Sequence, residues 1–452
     1  MESTAPQQAN VLPVDDRSPA PGTGEKPTNY RWVICSLLFY ATTINYMDRS
    51  VLNVLSSTLQ KSIGWSNIQF GNINMAFAIA YTIGFFVMGW LIDRLGTRLV
   101  YAIALAFWTL AGASTAFARS AFQFGICRFM LGIGESGNFP AAIKTVAEWF
   151  PQRQRATATG VFNAGSNVGA ILAPWLVPLV VIQFGGWPAA FFITPILAAI
   201  WIVLWLTIYK HPSVHPRINR AELELIQSDN VPVTGKKVKW REILPHRQTW
   251  AIMVGKFLTD PVWWFYLTWS GKFLSDRYGV DLKHIGPPLI IIYVMADFGS
   301  IGGGWLSSTL MKHGWTANAA RKTAMFTCAL AVLPVCLAPL STKWVAVFLI
   351  GIATSAHQGF SANIFTLTSD MFPKRAVGSV TGLAGFCGGV GGILIQFAAG
   401  HITQNHSYLS LFIIAGTVYL LAVTLIHVLA PRLKVVDLDG SDGPRGFPVV
   451  PV

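Results

Sequence analysis

Charged residues are scarce in this sequence: 12% of 452 residues, against about 25% in a soluble globular chain. That deficit excludes an ordinary soluble domain. Cysteine is sparse too, and all five (Cys35, Cys127, Cys328, Cys336 and Cys387) fall inside apolar runs. They have neither metal-ligand spacing nor the pattern of a disulfide framework, so they read as small core residues. The apolar runs hold no His/Cys ligand cluster and no nucleophile motif, which argues against a membrane-embedded enzyme. A membrane sensor would carry a sizeable soluble output domain, and none is apparent. The first 28 residues are polar and lack the hydrophobic core of a signal peptide. They read as a disordered cytoplasmic tail.

Apolar residues, by contrast, make up 53% of the chain. Runs of about 20 residues, enough to cross a bilayer, recur at 30–56, 68–92, 98–117, 121–148, 156–183 and 187–209. After a polar interval they resume at 250–275, 285–310, 322–340, 343–370, 376–403 and 408–430. Twelve spans place both termini on one side. Arg94, Arg98, Arg153, Arg155, Lys312, Arg321, Lys322, Lys374, Arg375, Arg432 and Lys434 fall on that side, and an excess of Lys and Arg marks the cytoplasm. The net charge of +13 therefore reports orientation in a membrane rather than affinity for nucleic acid. The expected organisation is a tail (1–28), a six-helix bundle (29–209), a cytoplasmic linker (210–248), a second six-helix bundle (249–431) and a C-terminal tail (432–452). The linker, with Lys236-Lys237-Val-Lys239 and an amphipathic stretch from Arg220 to Gln227, reads as solvated, with anionic lipid headgroups as the other possible contact.

The halves repeat. Glu148-Trp-Phe-Pro-Gln-Arg153 is echoed by Asp370-Met-Phe-Pro-Lys-Arg375, an offset of 222 residues. The same offset aligns Thr159-Gly160 with Thr381-Gly382 and Val168-Gly169 with Val390-Gly391. Duplicated halves are how secondary transporters place a site near mid-membrane.

Four ionisable residues interrupt the first and fourth spans: Asp48, Arg49, Arg128 and Glu135. Dissolved in lipid they would cost roughly 10–14 kcal/mol together. They must face a polar cavity and compensate one another, and Asp48 can pair with either Arg128 or Arg49. A buried Arg–Glu pair that merely joins helices is the plain alternative. Polar candidates for the same cavity are Tyr46, Tyr81, Asn163 and Asn167 in the first half, with His357, Gln358, Ser361 and Asn363 in the second. Asn163/Asn167 and His357/Ser361 are each spaced i, i+4 and share a helix face. Trp263, Tyr266 and Trp269 form an aromatic row, and Trp264 falls on another face. Such a row serves as sugar platform or as packing. His357 occupies the place of Glu135 at the 222-residue offset, and a hydrogen-bonding role suits it better than proton carriage. Asp260 and Asp297 read as cap or gate contacts.

Between the second and third spans, Gly89-Trp-Leu-Ile-Asp93-Arg94-Leu-Gly96-Thr-Arg98 matches the Gly-x-x-x-Asp-Arg-x-Gly-x-Arg signature of the major facilitator superfamily. The equivalent loop of the second half keeps Gly304 but has lost the aspartate. Asn45-Tyr46-Met47-Asp48-Arg49, the stretch from Arg128 to Pro140, and Ala356-His357-Gln358 through Asn363 resemble the anion:cation symporter branch. Asp260-Pro261-Val262-Trp263-Trp264 and the stretch from Asp370 to Ser379 resemble its bacterial hexuronate (glucuronate/galacturonate) transporters most. The resemblance implies an all-α membrane protein, twelve transmembrane helices in two pseudo-symmetric six-helix bundles, in the bacterial inner membrane with both termini cytoplasmic. It implies a proton-coupled symporter importing a sugar-acid monoanion. Galactonate, glucarate or an aromatic acid are alternative cargoes. It assigns Arg49 to the substrate carboxylate, Asp48 and Glu135 to proton coupling with Arg128 as charge partner, and Asp93, Arg94 and Arg98 to a gate. Tyr46, Tyr81, Asn163, Asn167, Trp264, Tyr266, His357, Gln358, Ser361 and Asn363 complete the expected binding set. A monomer is expected, with H+ as coupling ion, lipid around it, and neither cofactor nor metal.

Overall fold

The computed structural model describes residues 26–228, 240–405 and 407–438, apart from the side chains of Phe86, Asp93, Gln152, Arg153, Ala156, Lys374 and Arg375. Most of the tail expected to be disordered, the Lys236–Lys239 stretch and the C-terminal end lie outside the described residues. Among the described residues the chain forms sixteen α-helices and no strand. In order they are α1 (Tyr30–Val54), α2 (Ser56–Ile63), α3 (Asn67–Leu95), α4 (Thr97–Ser114), α5 (Ala121–Glu135), α6 (Asn138–Trp149), α7 (Gln152–Phe184) and α8 (Ile193–Ile208). Then follow α9 (Arg220–Gln227), α10 (Trp240–Ile243), α11 (Arg247–Tyr278), α12 (Gly286–Lys312), α13 (Ala317–Val332), α14 (Lys343–Met371), α15 (Lys374–Asn405) and α16 (Leu409–Leu429). Among the described residues nine crossings are long and apolar enough to span a membrane by length and composition. The remaining three, α1, α5 with α6, and α11, carry Asp48 and Arg49, Arg128 and Glu135, and Lys256 and Asp260. Together they give twelve crossings in two bundles of six.

The fourth span is not one helix. The chain breaks between Glu135, the last residue of α5, and Asn138, the first of α6. Pro140 supplies the reason: it has no N–H to donate to the Ser136 carbonyl, so the ladder cannot continue through that point. Glu135 therefore ends a helix. Two glycines seat α5 between its neighbours. A Cβ at Gly132 would fall 2.6 Å from the Phe77 carbonyl of α3, and one at Gly134 would fall 2.7 Å from Trp108 Cβ of α4. Close approach of this kind is how helices associate where burial of apolar surface gives no drive.

The internal repeat is visible in the packing. α6 and α14 end at Trp149 and Met371, and α7 and α15 begin at Gln152 and Lys374, at the sequence offset of 222 residues. Gly169 lies against the Thr43 carbonyl of α1, and Gly391 lies against the Phe257 carbonyl of α11, 2.7 Å from where its Cβ would be. Each half thus packs its fifth crossing on its first by the same device.

The halves meet along α3 and α15, which run antiparallel. At the end away from the termini, the Asn67 backbone N–H donates to Gln404 Oε1 (2.9 Å) and Asn67 Nδ2 to the Thr403 carbonyl (3.2 Å). Gly71 touches Gly400 there, and further along Gly389 touches Thr82. Beyond that point the register brings Gly89 opposite Gly382, yet among the described residues a Cβ at Gly89, Gly382 or Gly378 would meet nothing within 4 Å. The two helices splay toward the face that carries both termini. Lys272 bonded to Gln60, Asn53 Nδ2 donating to the Leu267 carbonyl (3.3 Å) and Gly286 against the Pro174 carbonyl add to the seal at the far end.

The linker, expected to be solvated, holds one buried anchor. Asn219 caps α9 by accepting the Glu222 N–H (3.0 Å). The Glu222 carboxylate then accepts from the backbone N–H groups of Tyr30 (3.0 Å) and Arg31 (3.0 Å), from the Arg31 guanidinium (3.1 Å) and from the Thr28 hydroxyl. Four donors on one carboxylate clamp the linker helix under the start of α1.

Candidate functional site

Asp48 and Arg49 lie on α1, Arg128 and Glu135 on α5, and all four lie inside the first half. Arg49 Nε donates to Glu135 Oε2 at 2.5 Å, and Glu135 is fully buried. Its other oxygen, Oε1, is buried with no hydrogen-bond partner among the described residues. The guanidinium is also packed by aromatic faces, with ring centroids of Tyr81, Tyr46 and Phe77 at 4.4, 4.9 and 5.1 Å. Each such contact contributes up to about 2 kcal/mol where water is excluded, so Arg49 is held in place with its fork only partly used.

The expected pairing of Asp48 with an arginine is not what forms. Asp48 Oδ1 accepts from the Thr194 hydroxyl of α8, and among the described residues no basic side chain comes within salt-bridge distance of it. Arg128 is buried, and its Nη2 donates weakly to the Arg49 carbonyl (3.4 Å). The reason is directional: α1 turns about 100° between Asp48 and Arg49, which sends one side chain to α8 and the next to α5. Charge balance is kept across the group, two acids against two bases, while the direct ion pair is Arg49–Glu135.

Tyr81 links this wall to the second half. Its ring meets Trp264 of α11 edge-on at 6.3 Å, and Phe77 meets the same indole at 6.3 Å. Trp264 in turn lies flat on Gly392 of α15, 3.1 Å from where a Cβ would be. The aromatic row divides. Trp263 stacks on His357 at 5.2 Å with a 4° interplanar angle, whereas Tyr266 and Trp269 are buried in the core of the second half. Trp269 Nε1 donates to Gln396.

His357 is buried behind Trp263, with Nδ1 2.6 Å from the Tyr419 hydroxyl. Asn363 donates to the Gly303 and Gly359 carbonyls at 3.0 and 2.9 Å and ties α14 to α12. Tyr266, His357 and Asn363, expected at the cavity surface, are thus turned into the second bundle in this structure. Helix periodicity identifies a face, but not which of two polar faces the neighbouring helix covers. Gln358 keeps partial exposure on α14 while Ser361, one turn away, is buried; Asn163 is exposed on α7, and Asn167 faces the Asp297 carboxylate of α12. At the expected gate, Arg94 is exposed with its guanidinium over Trp90 (4.4 Å) and Arg98 bonds the Leu206 carbonyl. The Asp93 side chain lies outside the described residues.

A further charged pair lies within the membrane-spanning part of the second half. Lys256 and Asp260 on α11 form an ion pair at 2.8 Å, and the signal for it in the sequence is their i, i+4 spacing inside an apolar run. Among the described residues no group of His, Cys, Asp and Glu is arranged to hold a metal ion. A groove of about 420 Å³ between α3 and α5, lined by Gln69, Asn72 and Phe122 among others, opens beside exposed apolar residues and includes none of the four charges.

Residues 38–396 and 314–448 match the family model described as the Major Facilitator Superfamily. The chain is 30% identical over 414 residues to a hexuronate transporter of Escherichia coli, covering 90% of this chain and 96% of that one. It is 28% identical over 434 residues to a D-galactonate transporter of Escherichia coli, covering 92% and 98%. Among solved structures, a D-xylose–proton symporter aligns with TM-score 0.73 at 15% identity, over 90% of this chain and 100% of that one. At that identity the likeness shows the fold alone.

Proposed function

The chain belongs to the Major Facilitator Superfamily, and from there we propose that it is a proton-coupled symporter importing a sugar-acid monoanion, a hexuronate first, by alternating access. The termini lie in the cytoplasm of a bacterial cell in this reading, so the splayed face of α3 and α15 opens inward. The protein works as a monomer in the inner membrane, needs no cofactor beyond the coupling proton, and performs no covalent chemistry. Asp93, Arg94 and Arg98 latch the opposite state.

The observation that carries this reading is the Arg49–Glu135 pair at 2.5 Å in an aromatic-lined wall between the halves. An arginine fork matches a carboxylate in two parallel hydrogen bonds. While Glu135 is ionised it holds that fork. A proton on Glu135 weakens the hold and frees Arg49 for the carboxylate of the cargo. Proton and anion then enter together with no net change in the charge of the site, and the halves can rock past it. Loss of the proton to the cytoplasm restores the internal pair and expels the sugar acid. The competition is therefore between cargo and Glu135, not Asp48, and by linkage each ligand promotes binding of the other. Tyr46, Tyr81, Trp264, Gln358, Ser361, Asn163 and Asn167 supply hydroxyls, amides and ring faces for the hydroxylated carbon skeleton, while Asp48 and Arg128 tune the field around Glu135. Sodium is a poorer coupling ion, because two arginines leave little net negative charge.

Purified protein in liposomes tests this. Labelled galacturonate should accumulate above its outside concentration when the interior is alkaline, and collapse of the pH gradient should release it. Uptake that ignores an imposed pH gradient would remove the coupling.

A further inference from the structure

Lys256 and Asp260 stand on the wall facing Arg49. Asp260 is one turn of α11 from Trp264, whose ring meets Tyr81 and Phe77, and those rings pack on the Arg49 guanidinium. Asp260 is within electrostatic reach of Tyr46 on α1. Its Oδ2 abuts Gly388 of α15, where any larger residue would strike the carboxylate. The Lys256 ammonium holds Asp260 Oδ1 at 2.8 Å and rests over the Phe365 ring at 4.3 Å. Of the two, the acid is the more open: 18% of the Asp260 side chain is exposed against 7% of Lys256. The second half therefore presents a carboxylate, with the lysine behind it.

Resting on the reading that the cargo carboxylate docks at Arg49, we infer that Asp260 rejects a second carboxylate. The carrier then takes sugar acids with one acidic end and a hydroxyl-bearing far end, and excludes aldarates, which are acidic at both ends. A six-carbon sugar acid anchored at Arg49 extends its other end toward α11. A hydroxyl there donates to Asp260 Oδ2. A carboxylate there meets a like charge in a poorly screened cavity, and such juxtaposition is how wrong partners are refused. Lys256 keeps the repelling charge fixed and ionised: the pair spans one helical turn, and truncating either member would strand the other.

The test uses D-galactonate and galactarate, which differ in whether C6 is a hydroxymethyl or a carboxylate, as unlabelled competitors of labelled galacturonate uptake in proteoliposomes. In the wild type, galactonate should compete at least about tenfold better than galactarate. Asp260→Asn should narrow that ratio by about tenfold, because the freed Lys256 ammonium can then meet the second carboxylate. Adding Lys256→Met to Asp260→Asn should remove the gain. A wild-type measurement that needs no variant accompanies these: galactonate should raise the melting temperature of the purified protein and galactarate should not. Equal competition by the two acids in the wild type, or an unchanged ratio in folded Asp260→Asn, overturns the inference while leaving transport intact. No galacturonate uptake by the wild type would instead sink the transport reading, and this inference with it.

Discussion

At the scale of single residues, the decisive contact is the one between Arg49 and Glu135. Glu135→Gln leaves Arg49 without its ionised partner and, in the proposed mechanism, removes the group that takes the proton. Proton-driven accumulation should vanish while exchange of labelled for unlabelled galacturonate persists, and a variant that still concentrates the label under a pH gradient would move the proton site elsewhere. Arg49→Lys keeps the charge but loses the fork, so the half-saturating concentration should rise roughly 100-fold. An unchanged value would cancel the carboxylate role. The four charges of the first half were legible because an ionisable side chain in an apolar run is costly enough to demand a reason. Their pairing was not, because it depends on a 100° difference in direction between Asp48 and Arg49 and on a helix that stops at Glu135. Lys256 is hidden for a plainer cause: Asp260 precedes Pro261 and reads as a helix-end acid, which needs no partner four residues earlier.

At the scale of elements, α9 makes a separate prediction. Burial alone would push the Glu222 carboxyl up, but the Arg31 N–H, the Thr28 hydroxyl, the Tyr30 N–H and the Arg31 guanidinium outweigh it and hold the group below its ordinary value of 4.5. A carboxyl depressed in the folded state stabilises fully above its unfolded pKa and loses that contribution as pH falls through the folded one. Glu222→Gln should therefore be less stable than the wild type at pH 7, by about 3 kcal/mol if the Arg31 charge is left uncompensated, and melt earlier. The gap should close as the pH falls below about 4. Melting curves of the detergent-purified pair across pH check it, and a gap constant with pH would mean that Glu222 acts through packing. Most elements were legible in the runs of apolar residues. Two departures have local causes: Pro140 breaks the fourth span, and Pro334 and Pro339 draw the end of the ninth into a 3-10 segment, Leu333–Leu340. The amphipathic pattern of α9 was visible, but nothing in the linker's composition announced that Glu222 would find four donors near residue 30.

At the scale of the whole molecule, the duplication was readable as an offset in sequence and reappears as an offset in helix ends and in the glycines at 169 and 391. Which way the assembly faces was not readable, because both orientations use the same residues and differ only in where α3 and α15 part. That parting has a practical corollary. Among the described residues Gly382 and Gly378 have open space beside them in this pose, and under the proposed alternating access they would meet α3 when the mouth shuts. A tryptophan at Gly382 would be a doorstop: accommodated now, in the way later. Such a carrier should still grip its sugar acid at equilibrium and yet deliver none. Delivery at the wild-type rate would mean that the mouth never narrows along that seam.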